Sequence, residues 1–555
     1  MRGMPLRGDR ILRYVTAFCP ACHADDPDRP LAEVGRLGGY LSEADGRVWL
    51  VRGCPTHGRV VTLYDESPEI LAYLEQWTAP TKVHRPDTPG NFEPIPSAYL
   101  RGLGELQTQH TCTLLEDIAE KCNLRCPTCF TDSSPDLAGL VPVDDVVANV
   151  DQRLARENGS LDVVMVSGGE PTVHPGLVEI LDRLLERDIT RILVNTNGMR
   201  LAHDDALLAA LAERRDRVEL YLQFDGFRAA THRHHRGADV GAVKGKVIER
   251  LRHAEIFSTL TMTATLGVND DEIGDVVQLA LDTPYVGGVS IQPQFGSGRS
   301  GAIDPLDRLT HTGVLARMGP QTGGRFGWRD MTALPCSHPH CCSIGYAIRT
   351  DAGEWKSLVG MIGHEELKAN LDLVSNRIAD RELPGRLRRL LKDSLLGLLS
   401  DQASLTHPSV PQLLRNVCDQ CDLGVGTLAR IATRPGAEGC RRIRELLAHR
   451  VKRIVVKPFM DLDTMLEERL QQCCVHVGSR RADDDNGGGH QCAPFCAVQA
   501  WPALGRTRLS AVAARAGSES GGSESGGSES GGSESGGSEP VEIGRRPAAR
   551  PAARP

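Results

Sequence analysis

From Thr111 to about Arg299 the chain alternates between two kinds of run, and that alternation narrows its possible folds more than any other feature. Strand-like runs TCTLLEDIAE, LDVVMVSGG, ITRILVNTNG, RVELYLQFDG, TLTMTATLGV and VGGVSIQPQF follow one another. Amphipathic stretches such as LVEILDRLLERD and DALLAALAERRD lie between several of them. Repeated βα units bury their strands as a parallel sheet or barrel with helices outside. The expected fold class is therefore α/β. Ligand sites in such folds gather at the C-terminal ends of the strands. The residues just after each strand-like run are where chemistry is expected.

The second constraint is cysteine, present 17 times in 555 residues. The start, MRGMPLRGDRILRYV, lacks the apolar core of an export signal, and no apolar run approaches the ~20 residues that span a bilayer. The expectation is a cytoplasmic protein with no transmembrane segment. In a reducing compartment, clustered cysteines read as metal ligands rather than disulfides. They fall as CPAC (Cys19, Cys22), CNLRCPTC (Cys122, Cys126, Cys129), CSHPHCC (Cys336, Cys341, Cys342), CDQC (Cys418, Cys421), CC (Cys473, Cys474) and CAPFC (Cys492, Cys496). Net charge is −8, and no basic stripe suggests nucleic acid as a partner.

The triple Cys122, Cys126 and Cys129 supplies three sulfurs within eight residues, directly after the first strand-like run. A [4Fe–4S] cluster takes thiolates, and three of them leave one iron open for a substrate or cofactor. The alternatives are a zinc knuckle or a chance spacing. A lone CxxC is weak evidence, whereas this triple at a strand end is strong.

The order of motifs carries a resemblance. CNLRCPTCF is followed by SGGEPT (Ser167–Thr172), NTNG (Asn195–Gly198), QFDG (Gln223–Gly226) and QPQFGSGR (Gln292–Arg299), each at a strand end. This series resembles the radical S-adenosylmethionine (SAM) superfamily. The resemblance implies a partial (β/α)6, TIM-like barrel and a [4Fe–4S] cluster on Cys122, Cys126 and Cys129. It also implies SAM as cofactor, its amine and carboxylate on the open iron. Gly168 and Gly169 would let backbone approach the cofactor, and Glu170 would meet its amine or sulfonium end. Asn195, Gln223, Asp225 and Gln294 are further candidates for cofactor contacts. One-electron reduction would then yield methionine and a 5′-deoxyadenosyl radical, so an external donor of the flavodoxin or ferredoxin type is implied.

The remaining cysteines extend the metal chemistry. Cys19, Cys22, Cys54 and His57, in CPxC…CPxH order, fit one structural zinc or rubredoxin-like iron. In the C-terminal third, Cys336, Cys341, Cys342, Cys418, Cys421, Cys473, Cys474, Cys492 and Cys496 would serve two auxiliary [4Fe–4S] clusters, leaving one spare. The other reading is a zinc site plus core thiols. Cys112 and Cys440 have no spacing partner and are expected as packed core thiols. The histidines of THRHHRG (Thr231–Gly237) are expected to be solvated or substrate-facing, and His338 and His340 to sit near a cluster without binding it.

These features divide the chain into 1–100, a zinc or rubredoxin-like module with its linker, and 101–330, the barrel. Residues 331–510 form an auxiliary iron–sulfur domain, and 511–555 a disordered tail of GGSES repeats and basic residues. Within the third segment, Leu387, Leu390, Leu391, Leu395 and Leu398 make an apolar helical stripe that reads as core. The module, PCSHPHC and CCVH…PFC together are similar to the group containing archaeal tetraether lipid synthase and a dihydro-hydroxymethylpterin methyltransferase. The polar loop SRRADDDNGGGHQ and the tail depart from that pattern. Three functions follow as candidates. One is a radical enzyme joining carbons on a lipid-like substrate. Another is a radical methyltransferase acting on a pterin-like heterocycle. The last is an electron-transfer protein, which would have no need of cofactor motifs at strand ends.

Overall fold

Four antiparallel strands open the fold: β1 (Arg10–Ala17), β2 (Leu37–Ala44), β3 (Arg47–Cys54) and β4 (Gly58–Asp65), paired in sequence order. Asp45 and Gly46 join β2 to β3, both at positive φ (51° and 70°), the backbone of a tight hairpin. The alternation of β3 puts Val48 and Leu50 on one apolar cluster and Trp49 and Val51 on another. The computed structural model describes residues 10–77, 111–369 and 445–501, apart from 28, 30–32, 158, 302, 335–336, 351, 446–447 and 481–489. All of these lie within one unit, Met1–Val512.

Six parallel strands follow in spatial order: β5 (Thr113–Ala119), β6 (Leu161–Gly168), β7 (Ile189–Thr196), β8 (Val218–Gln223), β9 (Ser258–Ala264) and β10 (Val286–Pro293). They coincide with the six expected runs. Helices Val143–Arg156, Leu177–Leu185, Asp205–Glu213, Gly241–His253 and Ile273–Asp282 alternate with them. The helix Leu177–Leu185 buries Leu177, Ile180, Leu181 and Leu184, the spacing of one helical face. The strands from β5 to β8 carry apolar residues on both faces, as a sheet covered on both sides requires, while the second face of β9 and β10 carries Thr259, Thr261, Ser290 and Gln292. Leu114, Val164, Ile192 and Leu220 pack with the helices, while their neighbours Leu115, Met165, Leu193 and Tyr221 form a second cluster on the opposite, inner face.

The C-terminal third lengthens this sheet at both edges. Beyond β10 come β14 (Val451–Val456), parallel to it, then β12 (Ser343–Arg349), flanked by β11 (Thr332–Ala333) and β13 (Trp355–Ser357). Beyond β5 come β15 (Val475–Arg480), parallel to it, and β16 (His490–Pro494). The N-terminal strands are tied to this third. Buried Arg52 donates through Nη1 to the Asp463 carbonyl at 2.7 Å, and Ala17 bridges Leu466. Among the described residues no helix is long and apolar enough to cross a membrane. The leucine stripe at 387–398, the linker before residue 111 and the tail lie outside the described residues.

Candidate active site and thiol centres

Cys122, Cys126 and Cys129 lie on the loop after β5, the first two buried and the third partly so. Burial pushes the Cys122 thiol up to about 12, and Glu170, Cys126 and Cys129 nearby push the same way. The loop is held from several directions. The Cys122 amide donates to the Ser134 carbonyl at 3.1 Å, and Leu124 N donates to the Cys122 sulfur at 3.4 Å. Arg299, from the loop after β10, donates from its amide to the Cys129 carbonyl (2.8 Å) and from Nε to the Cys126 carbonyl (3.1 Å). Its Nη1 meets Asp132 at 2.7 Å. Gly298 makes this approach possible: at φ 54°, an added Cβ would lie 2.6 Å from the Cys129 carbonyl oxygen. That is the physical reason for a glycine before Arg299.

The motif SGGEPT closes the other side. The Gly169 amide donates to Ala119 O (2.6 Å) and the Glu170 amide to Lys121 O (3.0 Å). A Cβ on Gly169 would lie 2.4 Å from Lys121 O, and one on Gly168 2.4 Å from Ala119 O. The close approach these glycines allow is therefore to the chain's own cysteine loop. Glu170 is buried, and both its oxygens are engaged. Oε1 accepts from Thr172 N, Thr172 Oγ1 and Thr196 Oγ1, and Oε2 from Asn197 N. It joins the end of β6 to that of β7. The second asparagine of NTNG, Asn197, reaches the cysteine loop. Its Nδ2 lies 3.9 Å from the Cys122 sulfur and donates to Asn123 Oδ1 at 2.6 Å.

A polar chain crosses the strand ends. Asn195 Nδ2 donates to Ser167 Oγ (3.1 Å), and Gln223 Nε2 to Asn195 Oδ1 (2.9 Å). Arg236 Nη2 donates to Gln223 Oε1 (3.0 Å) and, with Nε, grips Asp225 at 2.7 and 2.6 Å. Burial alone would raise the Asp225 carboxyl, but Arg236 and His235 hold it down at about 2. Arg236 also lies beside Cys126. Lys244 donates to the Asn197 carbonyl, and burial lowers its ammonium to about 8. Gln294 stands apart from this chain, between Thr265 (2.6 Å) and Ser300 (2.8 Å). Sequence reasoning missed Arg236, Asn197 and Arg299, although all three stand in motifs it had singled out. It also expected the THRHHRG histidines to be solvated or substrate-facing, and two are core groups. His232 pairs with the Gly226 carbonyl at 2.9 Å, and His235 with Thr128 Oγ1 at 3.1 Å; both are buried.

In the N-terminal module, Cys19, Cys22, Cys54 and His57 meet around one point, their ligand atoms all within 4.8 Å of one another. Four edges of that group measure 3.4–3.7 Å. A tetrahedral zinc with three thiolates and an imidazole has edges of roughly 3.5–3.8 Å. His57 turns Nδ1 to the thiols and pairs through Nε2 with Asp25 Oδ2 at 2.8 Å. Such a carboxylate fixes the ring of a ligating histidine.

The C-terminal cysteines divide into two groups. Cys341, Cys473 and Cys496 are mutual electrostatic neighbours, and burial raises the Cys473 and Cys496 thiols, the latter to about 12. Arg469 Nε donates to the Cys341 sulfur at 3.3 Å. In the second group, Cys112 and Cys474 stand side by side at the starts of β5 and β15, the Cys112 amide donating to the Cys474 carbonyl at 2.9 Å. Both pack against Leu334, whose amide donates to the Cys342 carbonyl at 2.9 Å. Lys457 is partly buried and lies near Cys342 and Cys474. Cys112 thus has partners in space that its position in the chain does not show. Cys336, Cys418, Cys421 and Cys440 lie outside the described residues, and Cys492 is placed only as a backbone position on β16, opposite Gly478.

Comparison with known proteins bears on the cysteine loop. Residues 118–280 match the model of the Radical SAM superfamily. The chain carries a radical SAM domain. It is an enzyme of the radical SAM type. Residues 11–66 match the HMPTM N-terminal zinc ribbon domain. The chain is 23% identical over 511 residues to 7,8-dihydro-6-hydroxymethylpterin dimethyltransferase of Methanocaldococcus jannaschii, covering 86% of this chain and 92% of that one. It is 30% identical over 175 residues to GTP 3′,8-cyclase of Alkaliphilus oremlandii, covering 30% of this chain and about half (52%) of the cyclase. Among solved structures, a radical SAM methyltransferase from Sphaerobacter thermophilus matches 58% of this chain and 77% of its own at 13% identity and a TM-score of 0.29.

The radical SAM family implies a [4Fe–4S] cluster and SAM, and the residues present fit them. Three cysteines stand on one loop whose backbone is fixed by Arg299 and Gly298, with the Asn197 amide beside Cys122. The zinc ribbon match agrees with a metal at Cys19, Cys22, Cys54 and His57.

Proposed function

We propose that this radical SAM enzyme removes a hydrogen atom from an unactivated C–H bond of a pterin-like heterocycle and methylates that carbon with the methyl group of a second SAM, the external donor supplying one electron for the radical cleavage and one for the methyl transfer. Cys122, Cys126 and Cys129 would hold the cluster, with Asn195, Gln223, Asp225 and Gln294 shaping the SAM pocket and Glu170 organising its floor. Bound there and reduced by one electron, SAM supplies a 5′-deoxyadenosyl radical. The work of this chain's residues is to position the reactants and exclude water. The observation that carries the substrate reading is a compact polar patch on inner strands. Tyr221 Oη donates to Ser290 Oγ, and Gln292 Nε2 donates to Tyr221 Oη at 3.1 Å. A heterocycle with ring nitrogens could exchange hydrogen bonds with such a patch. The likeness to the pterin dimethyltransferase over nearly its whole length supports the same reading.

A second reading is C–C bond formation on a lipid-like substrate. Leu115, Met165, Leu193, Phe295, Met460 and Phe495 form one apolar cluster on the inner face, and they favour it. Both readings take two auxiliary clusters on the C-terminal thiols, a zinc or iron in the N-terminal module, a flavodoxin- or ferredoxin-type donor and work in the cytoplasm. One experiment separates them. Anaerobic, reduced enzyme is given SAM with a deuterated methyl group and either a dihydropterin or an alkyl lipid. Label in the pterin supports the first reading. Coupled lipid without labelled pterin supports the second and rejects the first.

A further inference from the structure

Arg469 is a buried cation without a matching carboxylate. Its residue is 5% exposed, and its guanidinium is protonated at any ordinary pH. It donates to three acceptors: the Pro458 carbonyl at 2.9 Å, Tyr64 Oη at 3.4 Å and the Cys341 sulfur at 3.3 Å. Among the described residues no carboxylate oxygen lies within 4 Å of it; Glu468, its chain neighbour, feels its charge from farther away. Tyr64 is itself buried and paired with His340 at 2.9 Å, and burial keeps its hydroxyl protonated. A desolvated guanidinium facing only neutral groups is costly. Of the three groups Arg469 bonds, only the Cys341 sulfur could carry the missing negative charge, and Cys496 acts on the same cation from nearby.

Thiols that ligate a metal are deprotonated outright. Three thiolates around a metal would then give Arg469 its counter-charge, and Arg469 would stabilise each negative charge the centre gains. Net charge and hydrogen bonds to the sulfurs are what tune an iron–sulfur potential.

We propose that Arg469 is the positioning and potential-setting residue of an iron–sulfur centre held by Cys341, Cys473 and Cys496. This rests on the auxiliary-cluster reading above. Reduction adds one electron, from an external one-electron donor, and no bond to Arg469 forms or breaks. The guanidinium keeps its proton and raises the potential of that centre alone.

The test uses the full chain, reconstituted anaerobically, with iron and sulfide counted and each cluster titrated with dithionite under electron paramagnetic resonance. Arg469→Gln is expected to lower one auxiliary midpoint by at least tenfold in the reduction equilibrium, about 59 mV for one electron. The midpoint of the cluster on Cys122, Cys126 and Cys129 should not move. Arg469→Lys, which keeps the charge but loses the planar fork, should fall between Gln and the wild type. If Gln cannot be loaded with iron, the Lys variant decides by the same shift. Wild-type iron sufficient for one cluster only would overturn the auxiliary reading and this inference with it. A full complement of iron with unmoved midpoints in the loaded variants would overturn this inference alone.

Discussion

Arg299 donates from Nε to the main-chain carbonyl of Cys126 at 3.1 Å, so the loop that ends β10 holds the loop that follows β5. The two ends of the parallel sheet's motif series thereby meet over the three cysteines. Removing that side chain takes away hydrogen bonds to the Cys126 carbonyl, Asp132 and the Ser133 carbonyl together. Arg299→Ala is expected to lower iron retention on the loop and to cut 5′-deoxyadenosine formation by about tenfold or more. That is the equivalent of one to two net hydrogen bonds to a charged group. Iron per chain and product per hour check it.

The zinc ribbon gives a test of its own. Asp25 fixes His57 through Nε2 while Nδ1 faces the thiols. Asp25→Asn should weaken metal binding by roughly 10–100-fold, as loss of such a partner does elsewhere. Competition with a chromogenic chelator measures this directly, with no need for activity.

A buried ion pair joins the barrel to the C-terminal third. Arg308 grips Asp461 at 3.1 and 2.6 Å, and Asp461 also accepts from Gly296 N and Thr464 N. Both side chains are buried. Burial would raise the Asp461 carboxyl, yet Arg308 holds it below the ordinary value of 3.8. Its contribution to stability is therefore present above 3.8 and is lost as pH falls below it. Asp461→Asn leaves Arg308 buried and unmatched, a cost of about 3–5 kcal/mol. Chemical denaturation should show it.

Glu116 predicts the opposite pH trend. It lies buried on β5, one oxygen accepting from Asn149 Nδ2 at 3.2 Å, the other without a hydrogen-bond partner. Burial lifts its carboxyl from 4.5 to about 8. A carboxyl raised on folding supports the fold below its unfolded value, and that support is lost as pH rises from 4.5 toward about 8. Glu116→Gln should leave the melting temperature near pH 5 little changed and raise it near pH 8.5. Equal effects at both values would remove this account of Glu116.

Much of the barrel could be read along the chain because its signals are local. Strand-like runs, intervening amphipathic helices and the motifs after them recur at short spacing, so β5 to β10 and the positions of Ser167, Asn195, Gln223 and Asp225 follow from neighbours in sequence. The rest depends on pairing between distant segments. β15 lies against β5 across more than three hundred residues, and only that pairing sets Cys112 beside Cys474. Arg469 meets Cys341 in the same way. Likewise, the burial of His232 and His235 could not be told from the composition of a basic helix, since it comes from Gly226 and Thr128 packed against that helix.

The central claim is tested most directly by counting 5′-deoxyadenosine. The anaerobically reconstituted chain is reduced, given SAM, and compared with Cys126→Ala. Product from the wild type and none from the variant is the predicted result. No product from a fully loaded wild type, or equal product from Cys126→Ala, would contradict it.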